Sequence, residues 1–220
     1  MSSLRNVTRD VTGSIAFDPG KGTFNAGSNL LTYSEDAGNS TWMKSNVSVD
    51  DDAATAPDGT STMDRLNVLA VADQRAVIQA VTIIPGYTYT LSAHVKSDGS
   101  GFATISLADA GEYYYGATFN LSTGAMTQIG VGATSGVHAA SGSINVGNGV
   151  YRVWVTGNIS GNNGGAFSYV ADSTAGTFTK NAVGLDTNTG VAGEDILMWG
   201  IQLNKGSLAP YVKTVEAPAK

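Results

Sequence analysis

The chain has 220 residues, 28 of them glycine, with 14% charged side chains, a formal net charge of −6 and no cysteine. The length is enough for one well-buried core, and a glycine-rich, charge-poor composition suits many short strands joined by tight turns better than amphipathic helices. It excludes disulfides and thiolate metal sites. It also offers no Lys/Arg cluster to release counterions from a nucleic acid and no apolar run long enough to span a bilayer.

Residues 1–28 read as an arm or short leading hairpin. Met1 to Asn6 lacks the apolar core of a secretory leader, which predicts synthesis in a cytoplasm and release by another route. Val7, Val11, Ile15 and Phe17 are spread among polar residues, and Asp18-Pro19-Gly20-Lys21-Gly22 is a strong turn signal. A tail seldom carries bulky apolar residues without burying them, so these four are candidates for contact with a neighbouring subunit or a shell.

From Asn29 the pattern is that of strands. Tyr87, Tyr89, Leu91, Ala93 and Val95 alternate with Thr88, Thr90, Ser92, His94 and Lys96, which predicts a half-buried strand with His94 on its surface. Turns at Pro85-Gly86 and Asp98-Gly99-Ser100-Gly101 bracket it, and Phe102–Leu107 follows as the next strand. Phe119–Gly124 reads as a strand ending in a turn, and Tyr151, Val153 and Val155 share one face of a later strand. Gly161 to Gly165 reads as a loop. Ile196 to Leu203 is apolar on both faces except at Gln202, as expected of a central strand.

Several segments carry a family resemblance. They are Asn29-Leu30-Leu31 with Ser34-Glu35-Asp36, Trp42, Ala56-Pro57-Asp58-Gly59, Tyr89–Ser92 with Lys96, Leu121–Gly124, Tyr151-Arg152, and Trp199-Gly200-Ile201-Gln202-Leu203 leading to Ala209-Pro210-Tyr211. Seven elements in this order resemble a carbohydrate-binding-module-like jelly roll that recurs in tailed-phage virion proteins. The resemblance covers about residues 29–214 and leaves 215–220 as a tail. It implies an all-β antiparallel jelly-roll sandwich and a place in a phage particle. The sequence departs from the family pattern at Ala37, where an aromatic is usual, and at Asn204, where an acidic residue is usual.

Trp42 and Trp199 lie in the motifs and read as packing residues. Trp154 shares the non-core face of its strand with Arg152 and Thr156, where it could stack on a sugar ring or a partner subunit. In the run Tyr113-Tyr114-Tyr115 successive rings point to opposite faces, so Tyr114 is expected to face outward, available to glycan or protein. Asp50-Asp51-Asp52 could help hold the structural calcium that such jelly rolls often carry, though the run lacks the alternating spacing of a calcium loop and reads better as a solvated acidic turn.

Parts for catalysis are missing. His94 and His138 are the only histidines, neither lies in a metal or nucleophile motif, and no phosphate-cradling glycine loop occurs. The expectation is therefore a non-enzymatic structural protein on the outer surface of a tailed-phage virion. A capsid decoration or cement role leads, with major capsid protein or a tail component as partner and a homo-oligomer, by preference a trimer, as the assembled form. The competing class is an adhesin module of a tail or head fibre that binds host glycans.

Overall fold

The computed structural model describes residues 28–109, 113–132, 136–159 and 165–219. The arm candidates Val7, Val11, Ile15 and Phe17, and most of the Gly161–Gly165 loop, lie outside them. Twelve strands are formed: β1 (Met43–Ser45), β2 (Val47–Ala54), β3 (Met63–Val68), β4 (Ala76–Thr82), β5 (Thr88–Asp98), β6 (Phe102–Ala108), β7 (Tyr114–Asn120), β8 (Met126–Val131), β9 (Gly136–Gly147), β10 (Val150–Ile159), β11 (Gly165–Ser173) and β12 (Asp195–Lys205). They make two six-stranded sheets, ordered β1-β4-β11-β6-β7-β8 and β2-β3-β12-β5-β10-β9. Every strand pairing is antiparallel. The described residues contain no helix, and the fold is the all-β jelly-roll sandwich expected.

Period-two alternation fills the space between the sheets. Leu91, Ala93 and Val95 of β5, Val153 and Val155 of β10, and Ile196, Met198, Ile201 and Leu203 of β12 face Ala103, Ile105 and Leu107 of β6 and Tyr115, Ala117 and Phe119 of β7. In β12 the alternation is reset between Trp199 and Gln202, where the register breaks. Gly200 takes φ +59° there, a left-handed value that glycine adopts without steric cost. The bulge turns Trp199 outward and returns Ile201 to the core, and β12 lies between β3 and β5 as a central strand.

The two motif segments at the ends of the described chain are joined. The buried Asn29 amide donates to Ile201 O at 3.0 Å, while its oxygen accepts from the backbone N–H groups of Leu31 and Leu203, each at 3.1 Å. Ile201 N–H donates to Ser34 O at 2.9 Å, and the Ser34 hydroxyl accepts from Thr214 N–H at 2.9 Å. Trp42 is buried and its indole N–H donates to Tyr33 O at 3.0 Å. Residues 215–219 also return to this segment, with Asn29 and Ala219 exchanging backbone bonds at 3.2 and 3.0 Å.

Both outer faces are partly roofed. On the β4–β11–β6–β7 side, Leu185 covers Ile78, Ala108, Tyr114 and Tyr169. The loop that brings Leu185 there is anchored by the fully buried Arg75, whose guanidinium lies 3.0 Å from Asp172 and 3.6 Å from Asp186. On the other face, Trp199, Leu197, Met63 and Val150 form a cluster against which Tyr211 packs.

Candidate functional site

The C-terminal segment after β12 crosses the outer face of β12, β5 and β10 as a strap. Gln202 holds it, donating to Pro210 O at 3.1 Å and accepting from Val212 N–H at 2.7 Å. The Tyr211 hydroxyl lies 2.7 Å from the Ser34 hydroxyl and donates to the Glu35 carboxylate at 2.9 Å. Under the strap, the Arg152 guanidinium donates to Ser92 Oγ at 3.0 Å and to Ala209 O at 2.9 Å. Arg152 is therefore on the non-core face, as read from the alternation, but buried there. Burial lowers its pKa, and its Nε has no hydrogen-bond partner.

His94 corrects the expectation of a surface position. It lies on the outer face of β5, yet Trp199 and Tyr211 enclose it at ring-centroid distances of 4.9 and 5.9 Å. Burial, with the nearby Arg152 charge, pulls its pKa down to about 4. A polar face in the sequence does not reveal that a later segment folds over it.

Trp154 lies beyond the strap and is half-exposed. It is paired with Gly142 on β9 and Ser92 on β5. A Cβ at Gly142 would stand 2.9, 3.2 and 3.3 Å from three atoms of the indole, so the ring lies across the glycine with no side chain beneath it. Same-face neighbours in the ladder are Arg152 and Ile144 on one side and Thr156 and Ala140 on the other. The Thr156 hydroxyl lies 2.7 Å from that of Thr90, which donates to Gly206 O. The arrangement is an aromatic platform on the sheet, whose polar neighbours Thr156, Thr90 and Arg152 are buried and bonded within the protein.

The tyrosine run divides differently. Tyr115 is in the main core, its hydroxyl donating to Tyr89 O at 2.9 Å. Tyr113 packs against that core from its edge. Tyr114 does face away from the core, but Leu185 covers it, and a Cβ on Gly184 would meet its ring at 2.4 Å. The expected outward contact at Tyr114 is thus closed by a loop distant in sequence.

Asp50, Asp51 and Asp52 lie on β2, an edge strand, and are exposed. Asp50 sits 3.8 Å from Arg65. The buried Asp64 accepts from Ala37 N–H at 2.6 Å and Asp52 N–H at 3.1 Å. The positive charge among these acids belongs to Lys44, whose ammonium donates to Gly38 O and Asn39 O, each at 2.6 Å. Among the described residues no three carboxylate or imidazole side chains converge on a metal position, and with an ammonium already seated there the cluster does not fit a calcium ion.

Two open depressions of about 450 and 390 Å³ adjoin one another along β4 and β11, sharing Ala80, Val81 and Thr82. Phe167 borders one of them, 6.5 Å from the Tyr169 ring. The nearby Gln79 amide is engaged by Thr32, accepting from its N–H at 2.8 Å and donating to its carbonyl at 3.1 Å. That leaves an apolar groove with little to orient a ligand.

No protein-family model matches the sequence, and no curated protein matches it significantly. Among solved structures, the enzymatically active domain of tailspike protein 4 from bacteriophage CBA120 aligns with a TM-score of 0.45 and 16% identity, over 81% of this chain and 21% of that one. The chain thus spans about a fifth of the length of that tailspike domain. TmCBM61 in complex with β-1,4-galactotriose aligns with a TM-score of 0.44 and 12% identity, over 81% of this chain and 99% of that one. A CBM4 structure aligns with a TM-score of 0.37 and 12% identity, over 80% and 84%.

Proposed function

We propose that this chain is a non-catalytic glycan-binding module of a tailed-phage virion protein, displayed on the particle's outer surface. Trp154 is its sugar-stacking platform. The observation that carries the reading is the partly exposed Trp154 indole laid across the bare backbone of Gly142. A ring so placed presents its π-face to the C–H groups of a pyranose. Between the two roles that the sequence suggests, a ring that reaches solvent in part supports glycan binding over capsid cement. The ordered motif elements from Asn29 to Tyr211 support placement in a phage particle.

The test is a glycan array and host-cell binding with purified protein. Trp154→Ala should lower binding at least tenfold, with a melting temperature close to that of the parent. A half-exposed ring contributes less than the roughly 3–5 kcal/mol lost when a buried aromatic is truncated. Gly142→Ala should also weaken binding, because the new methyl displaces the indole. Retention of full affinity by Trp154→Ala, or no binding by the parent to any glycan or host cell, would reject the reading.

A further inference from the structure

A sandwich of two open sheets has four edge strands, and here they are treated unequally. Edge strands present unpaired N–H and C=O groups, which proteins shield with brevity, charge, proline or bulges. On one side of the sandwich β1 is three residues long and carries Lys44. Beside it β2 carries Asp50, Asp51 and Asp52, and its register breaks between Asp50 and Ala54. Both edges are thus protected.

On the opposite side the edges are β8 and β9, which lie against each other. β9 is twelve residues long, the longest strand among the described residues, and β8 has six. Neither contains Asp, Glu, Lys, Arg or Pro, and from Tyr113 to Tyr151 the sequence has no Asp, Glu, Lys or Arg at all. Half of the large hydrophobic side chains exposed among the described residues sit on these two strands: Met126, Ile129, Val131, Val137, Ile144 and Val146. Met126, Ile129 and Val131 pair with Phe119, Ala117 and Tyr115, so they continue the core-facing row of β7 out to the rim, where the inward residues of β9 are Ser141, Ser143 and Asn145. Across this seam Ser143 Oγ donates to Gly124 O at 2.6 Å, and the apolar rim of β8 beside it stays exposed.

We infer that the β8–β9 side is the surface through which this chain binds a second copy of itself. Charge selects the occupant. The chain carries a net −6, so two copies repel wherever their acidic surfaces meet, and the one long charge-free edge is where they approach without that cost. Two copies of β9 can pair antiparallel, exchanging the backbone bonds each lacks, and cover the apolar rim of β8. The inference stands independently of the glycan-binding reading, since neither Val131 nor Val137 belongs to the Trp154 platform.

Light scattering coupled to size exclusion tests it on the full chain. The parent, loaded at micromolar concentrations, should run as a multiple of 22.5 kDa. Val131→Lys combined with Val137→Lys, at positions 48% and 57% exposed, should run as a monomer with an unchanged far-UV spectrum. The two lysines bring the net charge from −6 to −4, so dissociation would come from the local contact and not from general repulsion. Leu69→Lys combined with Val215→Lys makes the same charge change at residues 48% and 60% exposed elsewhere and should leave the assembly intact. Hydrogen exchange gives a second reading: β9 amides that point away from β10 should be protected in the parent and exchange freely in the edge variant. A monomeric parent, or an assembly that survives the edge lysines, overturns the inference.

Discussion

His94 shows how burial turns a single side chain into a pH-dependent load. Its pKa of about 4 in the folded protein is below the value near 6.5 of an exposed imidazole. The folded state binds this proton less readily than the unfolded chain. The stability tied to neutral His94 is therefore fully present above about pH 6.5 and is lost as pH falls through 4, at most about 3 kcal/mol. Asp64 has the opposite sign. Burial raises its pKa to about 6, so its contribution is full below the ordinary carboxylate range and is lost as pH rises through 6. The two partly cancel between pH 4 and 6. Melting curves at pH 7 and pH 4.5 should separate them: His94→Gln should lose less stability than the parent on acidification, and Asp64→Asn should lose more.

At the scale of elements, the strap and the loop around Leu185 decide which aromatics meet solvent. The strap rests on Tyr211, whose ring contacts Trp199 at a centroid distance of 4.7 Å and whose hydroxyl reaches Ser34 and Glu35. Tyr211→Ala should cost about 2–3 kcal/mol, less than the roughly 3–5 for a fully buried ring. It should also admit water to Arg152 and His94, so that the His94 pKa moves back toward 6.5 in an NMR titration. Tyr211→Phe keeps the ring and should show little of that shift. An unchanged His94 titration in Tyr211→Ala would mean the strap is held by Gln202 and its other bonds alone.

Across the whole molecule, the contacts that close the sandwich join distant parts of the sequence. Asn29 pairs with Ala219, and β12 inserts between β3 and β5. Such pairings incur loop-closure entropy before they gain burial, so folding should be slow. Stopped-flow refolding should recover native tryptophan fluorescence over milliseconds to seconds, with no microsecond phase carrying most of the amplitude. A charge-free, self-associating edge would also make refolding yields fall with protein concentration, and Val131→Lys with Val137→Lys should relieve this.

What the sequence by itself determined was local and periodic. Alternation over Tyr89–Val95 and Tyr151–Val155 reported which side chains enter the core, because a strand's side chains change face at every residue. The apolar run Ile196–Leu203 reported a central strand, and the motifs held Asn29, whose side chain joins the two ends, and Gln202, whose side chain holds the strap. The charge-free stretch from Tyr113 to Tyr151 was equally legible, and with the strand order known it marks the unprotected edges. Tertiary structure alone decided what covers each outer face. The strap over His94 and Arg152 and the loop over Tyr114 come from segments far apart in the chain, while the bare glycine under Trp154 is set by the register of the β9–β10 hairpin. Alternation says that a residue leaves the core, but only the path of the remaining chain says whether it then reaches water.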